Sequence, residues 1–176
     1  MAHSSQHTVV SVDRVIDAPA ASIFAVVADA TRHPEIDGSG QLVKAKDGAA
    51  QHLSLGSTFG MSMKMGVPYS VSNTVIEFEQ DRRIAWQTVL SGPLGRFLGG
   101  RIWRYELEPV DGGTKVTESW DLSQDKQAFF LKNPKIGQHT AASMSKTLDR
   151  LAEITASRPA SPSTSTPRGR NGSTPR

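Results

Sequence analysis

The chain has 176 residues and a formal net charge of +3, the length of one domain. Its pI near 9.4 invites a nucleic-acid reading, but four of the 20 basic residues (Arg158, Arg168, Arg170 and Arg176) stand in the last stretch with no acid, leaving 16 basic and 17 acidic residues in 1–156. A near-neutral body argues against a nucleic-acid-binding domain, and the absence of cysteine excludes disulfides, thiolate metal sites and a cysteine nucleophile.

Residues 1–8 read MAHSSQHT, a flexible start without the charged and apolar regions of a secretory signal. No apolar run approaches the ~20 residues that span a bilayer, so a soluble, cytoplasmic protein is expected, with transient membrane contact left open. Val9–Asp17 is rich in Val and Ile, the pattern of a strand. Ala18-Pro19 then opens a helix, because proline has no N–H to leave unpaired in a first turn. Ile23, Phe24, Val26 and Val27 share one face of that helix. Asp29 or Thr31 can cap a second short helix, expected to end near His33-Pro34 because a residue before proline avoids the α region.

From Gln41 to Leu122 turn signals punctuate strand-length runs: Asp47-Gly48, Gly66-Val67-Pro68, Gln80-Asp81 and Asp111-Gly112-Gly113, with a Gly-rich loop at 91–100. Runs joined by tight turns pair antiparallel. In 136–156, Met144, Leu148 and Leu151 recur at helical spacing, extended by Ala141. The last 20 residues hold Pro, Ser, Thr, Arg and Gly without a large apolar side chain, which predicts a disordered tail over 157–176. The domain therefore spans 9–156. Helices segregated from a meandering sheet give an α+β fold, in which an open sheet of about seven strands curls around the long C-terminal helix.

Period-2 alternation assigns the inner face. It holds Phe59, Met61, Met63 and Met65 from one strand, Trp86 from the next, and Trp103, Tyr105 and Leu107 from a third. Val116, Glu118, Trp120 and Leu122 share the face of the last strand. In 69–79, Val71 and Val75 favour one face while Ile76 and Phe78 favour the other, so a bulge is expected. Tryptophan and methionine on one concave face either fill a solid core or wall a pocket. Glu118 is the residue out of place there. A carboxylate on an apolar face must find a partner or hold its proton, and it reads as a polar anchor or acid/base, as half of an ion pair with an Arg at the rim, or as turned outward by a bulge. Leu94, Phe97 and Leu98 on the 91–100 loop read as a lid or membrane-touching tip, or as packing against the end of the last helix.

Four segments together resemble the SRPBCC superfamily (START-like, birch-pollen-allergen fold), in its polyketide cyclase/dehydrase and lipid-transport branch. They are I16-D-A-P-A-A-S-I-F24 with Asp29 following, V75-I-E-F-E-Q-D-R-R-I-A-W86, the run from Trp103 to Ser119, and T147-L-D-R-L151. The resemblance implies a helix-grip fold and a deep pocket between sheet and last helix for lipids, polyketides or other aromatic molecules. It favours a pocket walled by Phe59, Met61, Met63, Met65, Trp86, Trp103, Tyr105, Glu118 and Trp120, with Met144 and Leu148 from the helix. One departure stands out. Many relatives place a Trp soon after the second helix, whereas this chain reads H33-P-E-I-D-G38.

Other chemistries lack their motifs. No phosphate loop, no GxSxG elbow and no HExxH motif occurs, so neither metal nor cofactor is expected. His33, Glu35 and Asp37 read as a solvated turn before an acid/base cluster. Three functions remain: binding or transport of an apolar small molecule, a cyclase or dehydratase using Glu118 as acid/base, and a module that binds a protein partner.

Overall fold

The structure is a computed structural model that describes residues 8–46, 52–93 and 95–156. The predicted tail, the Asp47-Gly48 turn and Leu94 lie outside the described residues. Seven strands form one antiparallel sheet: β1 (Val9–Ile16), β2 (Leu42–Ala45), β3 (Thr58–Met65), β4 (Val67–Glu79), β5 (Arg83–Leu90), β6 (Gly99–Val110) and β7 (Gly113–Asp121), in the order β1-β7-β6-β5-β4-β3-β2. The meander predicted over 41–122 is thus observed, and β1 closes its far side by pairing with β7 along Val9↔Asp121 to Ile16↔Thr114. The short helices α1 (Ala20–Val27) and α2 (His33–Ile36) follow β1, α3 (Ala128–Leu131) follows β7, and the long α4 (Pro134–Ala156) ends the fold.

Alternation carries the core. Ile16, Phe59, Met61, Val75, Ile84, Trp86, Tyr105, Leu107 and Val116 are buried on the concave face, against Ile23, Phe24, Val26 and Val27 of α1 and Leu148 and Leu151 of α4. The bulge expected in β4 falls between Val75 and Glu77. It leaves Ile76 exposed and returns Phe78 to the inside, where its ring meets Phe24 edge-on at 5.5 Å.

The short helices differ from expectation in one respect. Asp29 does cap, its carboxylate accepting from the Thr31 N–H at 2.9 Å, but the helical path continues through Pro34 instead of stopping there. A new helix starts at His33, which puts Pro34 in its first turn, where an N–H would have no partner in any case.

On the convex face Arg104 forks onto Glu77, Nη2 at 2.6 Å and Nε at 3.0 Å. The pair spans β5 above Ala85, which faces both residues in register, and only a small side chain leaves room for the fork. The Arg104 hydrogen bonds hold the Glu77 carboxyl below its ordinary range.

Helix α4 is locked at mid-length by the loop after α2. The Gly38 N–H donates to the Thr147 hydroxyl at 3.1 Å, and Arg150 donates to the Asp37 carbonyl. A Cβ at residue 38 would lie 2.6 Å from the Thr147 nitrogen, against backbone on a buried face. Gly38→Ala is therefore expected to lower stability by about 1–3 kcal/mol, measured by urea denaturation. A loss within ~0.5 kcal/mol would mean that the contact yields.

Candidate functional site

Registers bring the inner-face residues into rows across the sheet. Trp120, Trp103, Trp86 and Val75 form one row through their pairings, and Glu118, Tyr105 and Ile84 the next. The Trp103 and Trp120 rings lie 6.3 Å apart. Trp86 stacks on Tyr105 at 5.6 Å and on His33 at 5.0 Å, and Phe59 meets it edge-on at 5.7 Å.

Glu118 faces this interior. Neither alternative for it is realised among the described residues: β7 pairs with β1 and β6 without a register shift, and no described Arg or Lys pairs with it. The Tyr105 hydroxyl donates to its Oε1 at 2.8 Å, while Oε2 is buried with no hydrogen-bond partner among the described residues. Burial pushes the Glu118 carboxyl up to about 8, against the opposing pull of the Tyr105 bond and with a further push from the charge of Asp37. Near neutral pH the group is therefore a carboxylic acid. Its acceptor side is occupied by Tyr105, and the orphan oxygen can carry a proton to donate. Burial, then the Glu118 charge, raises the Tyr105 hydroxyl too, so both members stay protonated.

The predicted site residues divide into two groups. Phe59, Met61, Trp86 and Leu148 belong to the main core, each nearly inaccessible. Trp120 and Met144 form a second, smaller cluster toward α3, with Leu122. Trp103 is half-buried and touches both clusters, and Met63 is half-buried at the edge of the first. Val10 and Val12 are also inward-facing and only half-covered. Val10, Val12, Met63 and Trp103 are thus the inward-facing residues less fully covered than the core around Phe59 and Trp86. Met65 does not join the wall: 65% exposed, it sits at the tip of the β3–β4 hairpin, past the reach of any covering element.

Other expectations are corrected. His33 is not on a solvated turn. It is buried, donates Nε2–H to the Val27 carbonyl at 2.8 Å, and burial lowers its pKa. Glu35 pairs outside with Arg32 at 2.9 Å, so the two do not form a cluster. Asp37 is held by its own loop, accepting from the Ser39 and Leu42 N–H groups; Tyr69 is raised by burial first, with the charge of Asp37 adding a smaller push against the opposing pull of Arg101. The 91–100 loop is tied to residues 126–127: Gln127 accepts from the Gly99 N–H at 2.7 Å and donates to the Phe97 carbonyl at 3.0 Å.

Sequence reasoning missed two polar groups of the interior. Arg101 alternates with Trp103 and binds the buried Asp125 at 3.0 Å. Asn73 accepts from the Thr88 hydroxyl at 2.6 Å and donates to the Phe59 carbonyl. Period 2 would have placed both inside, had polar residues been followed as closely as apolar ones. Among the described residues no three His, Asp or Glu side chains gather as a metal site. An open depression of about 380 Å³ lies on the outer side of the sheet among Glu79, Arg83, Glu106, Lys115 and Thr117; its charged lining does not suit an apolar molecule.

A seven-stranded half-barrel gripping a long helix, with one protonated acid on its apolar concave face, defines a helix-grip protein of START-like architecture. The chain belongs to the polyketide cyclase/dehydrase and lipid transport family of the SRPBCC superfamily, whose model matches residues 7–155. The uncharacterized protein Rv0088 of Mycobacterium tuberculosis is 38% identical over 144 residues, covering 78% of this chain and 60% of that protein. The chain thus spans about three-fifths of the length of the curated relatives it matches. Among solved structures, protein Ms6760 from Mycobacterium smegmatis aligns with a TM-score of 0.62 at 14% identity, covering 89% of this chain and 97% of that one. A protein from Arthrobacter aurescens aligns with 0.64 at 13%, covering 96% and 97%. DynU16, from the dynemicin biosynthetic locus, aligns with 0.59 at 14%, covering 86% of this chain and 48% of its own. At these identities the likeness is one of fold.

Proposed function

We propose that the protein binds an apolar small molecule, a lipid, polyketide or aromatic compound, in the interior beneath α4, and that Glu118 donates a hydrogen bond to an acceptor on it. The observation that carries this reading is the orphaned Oε2 of a protonated, buried carboxyl. A buried polar group without a partner costs about 1–3 kcal/mol, and a carbonyl, ether or hydroxyl of a ligand relieves that cost. Tyr105 fixes the carboxyl's orientation, Trp103 and Trp120 offer broad faces, and Met63 stands at the half-covered edge.

The test uses the naphthyl ketone prodan, whose emission reports an apolar site. Glu118→Gln keeps a donor and is expected to retain affinity, whereas Glu118→Leu weakens binding about tenfold or more, the worth of one buried hydrogen bond. Met63→Glu places a charge on the wall and abolishes binding while thermal unfolding stays cooperative. Equal affinity in all four proteins would refute the assignment.

The raised carboxyl supports a second reading. An acid with a pKa of about 8 is matched to proton transfer near neutral pH, as a cyclase or dehydratase requires. Glu118→Gln separates the two, since an enzyme would keep affinity and lose turnover.

A further inference from the structure

We propose that the open end of the half-barrel is a docking surface for an anionic lipid bilayer. Antiparallel pairing gathers at one end the β3–β4 hairpin, the turn between β5 and β6, and the segment leading from β7 through α3 into α4. Most of the large apolar side chains exposed among the described residues lie here. Phe129 and Phe130 on α3 are 87% and 74% exposed, Met65 and Val67 at the hairpin tip 65% and 74%, and Phe97 and Ile136 join them. Exposed apolar groups scattered singly need no explanation, but a gathered set with a polar surround does.

The exposure is built into the local structure. Ala128 and Leu131 turn inward onto the Trp120–Met144 cluster, and that face of the single helical turn leaves Phe129 and Phe130 pointing out. Gln127 ties the Phe97 turn to the same segment, so the apolar tips are held by hydrogen bonds to one another's supports.

Charge decides the partner. The stretches 64–70, 90–100 and 122–148, which make this end, contain a single acid, Asp125, buried and paired with Arg101, whereas Lys64, Lys132 and Lys135 are exposed among the apolar tips. The acids that flank these stretches are engaged: Asp121 accepts from the Ser123 N–H, Asp149 pairs with Arg14, and Asp37 is held by its own loop. Apolar tips ringed by lysine match an interface of acyl chains beneath anionic headgroups. No helix among the described residues is long and apolar enough to cross a membrane, so the contact is peripheral. This inference stands apart from the interior reading and holds whichever ligand is bound.

The experiment is co-sedimentation of the full chain with vesicles of phosphatidylcholine alone or mixed with phosphatidylglycerol. Binding to the anionic vesicles only, released by salt, is expected. Both Phe129→Ser/Phe130→Ser and Lys132→Glu/Lys135→Glu should lower partitioning about tenfold or more. Phe129→Trp supplies a readout that needs no loss of binding, a blue shift of the added indole emission on anionic vesicles. Wild-type protein that binds neither vesicle would overturn the proposal. So would variants that bind as well as wild type, an added emission in the Phe129→Trp protein that does not move, or a concentration-dependent dimer that Phe129→Ser/Phe130→Ser dissolves, which would assign the face to a second copy.

Discussion

Glu118→Gln is expected to stabilise the protein at about pH 8 while leaving it nearly unchanged at about pH 4.5. The Glu118 carboxyl titrates near 4.5 when unfolded and near 8 in the fold. Between those values the folded state keeps a proton that the unfolded chain has released, so wild-type stability falls as pH rises and levels off above the folded pKa. At ~1.4 kcal/mol per pH unit, the loss is of order 4 kcal/mol. Glutamine has the shape of the protonated acid and cannot ionise, so the variant escapes this loss. His33 acts in the opposite direction. Burial lowers its pKa from 6.5, so the unfolded chain takes up its proton first and stability is lost on the acid side. Since His33 is present in both proteins, the difference between variant and wild type isolates Glu118. Urea midpoints measured across this range check it; a difference that does not vary with pH would mean that the carboxyl is solvated.

Trp86→Ala should cost about 3–5 kcal/mol, as removing a buried aromatic does. Its ring lies between His33 and Tyr105, with Phe59 against its edge, and these three rigid rings cannot close over the space it would leave. Trp103, half-buried between the two clusters, should cost less when removed, about 1–2 kcal/mol, and weaken ligand binding more. Chemical denaturation of the two variants beside prodan titrations separates a core tryptophan from a wall tryptophan. The opposite order of stability losses would exchange those roles.

The sheet was legible because alternation is a local property. Phe59 and Met61, or Tyr105 and Leu107, declare a face within a few residues, and the bulge in β4 was readable from the change of face between Val75 and Phe78. Glu118 stood out for the same reason, as a charge where the period called for an apolar side chain. What could not be read was where cover ends. Met65 continues the pattern of Met61 and Met63, yet nothing in its neighbours tells that the hairpin extends past α4. His33 was misread because Pro34 and flanking polar residues give a turn's local pattern, while its burial comes from Phe59 and Trp86, distant in sequence. The docking of the 91–100 loop on Gln127 is likewise set by a side chain about 30 residues away, beyond any local rule.

Native mass spectrometry of the protein purified from its own source tests the interior most directly. The account predicts an added mass that denaturation releases as an apolar compound bearing a carbonyl, ether or hydroxyl, and that Met63→Glu protein lacks. A bare polypeptide mass, with no compound recovered and no prodan binding, would contradict it.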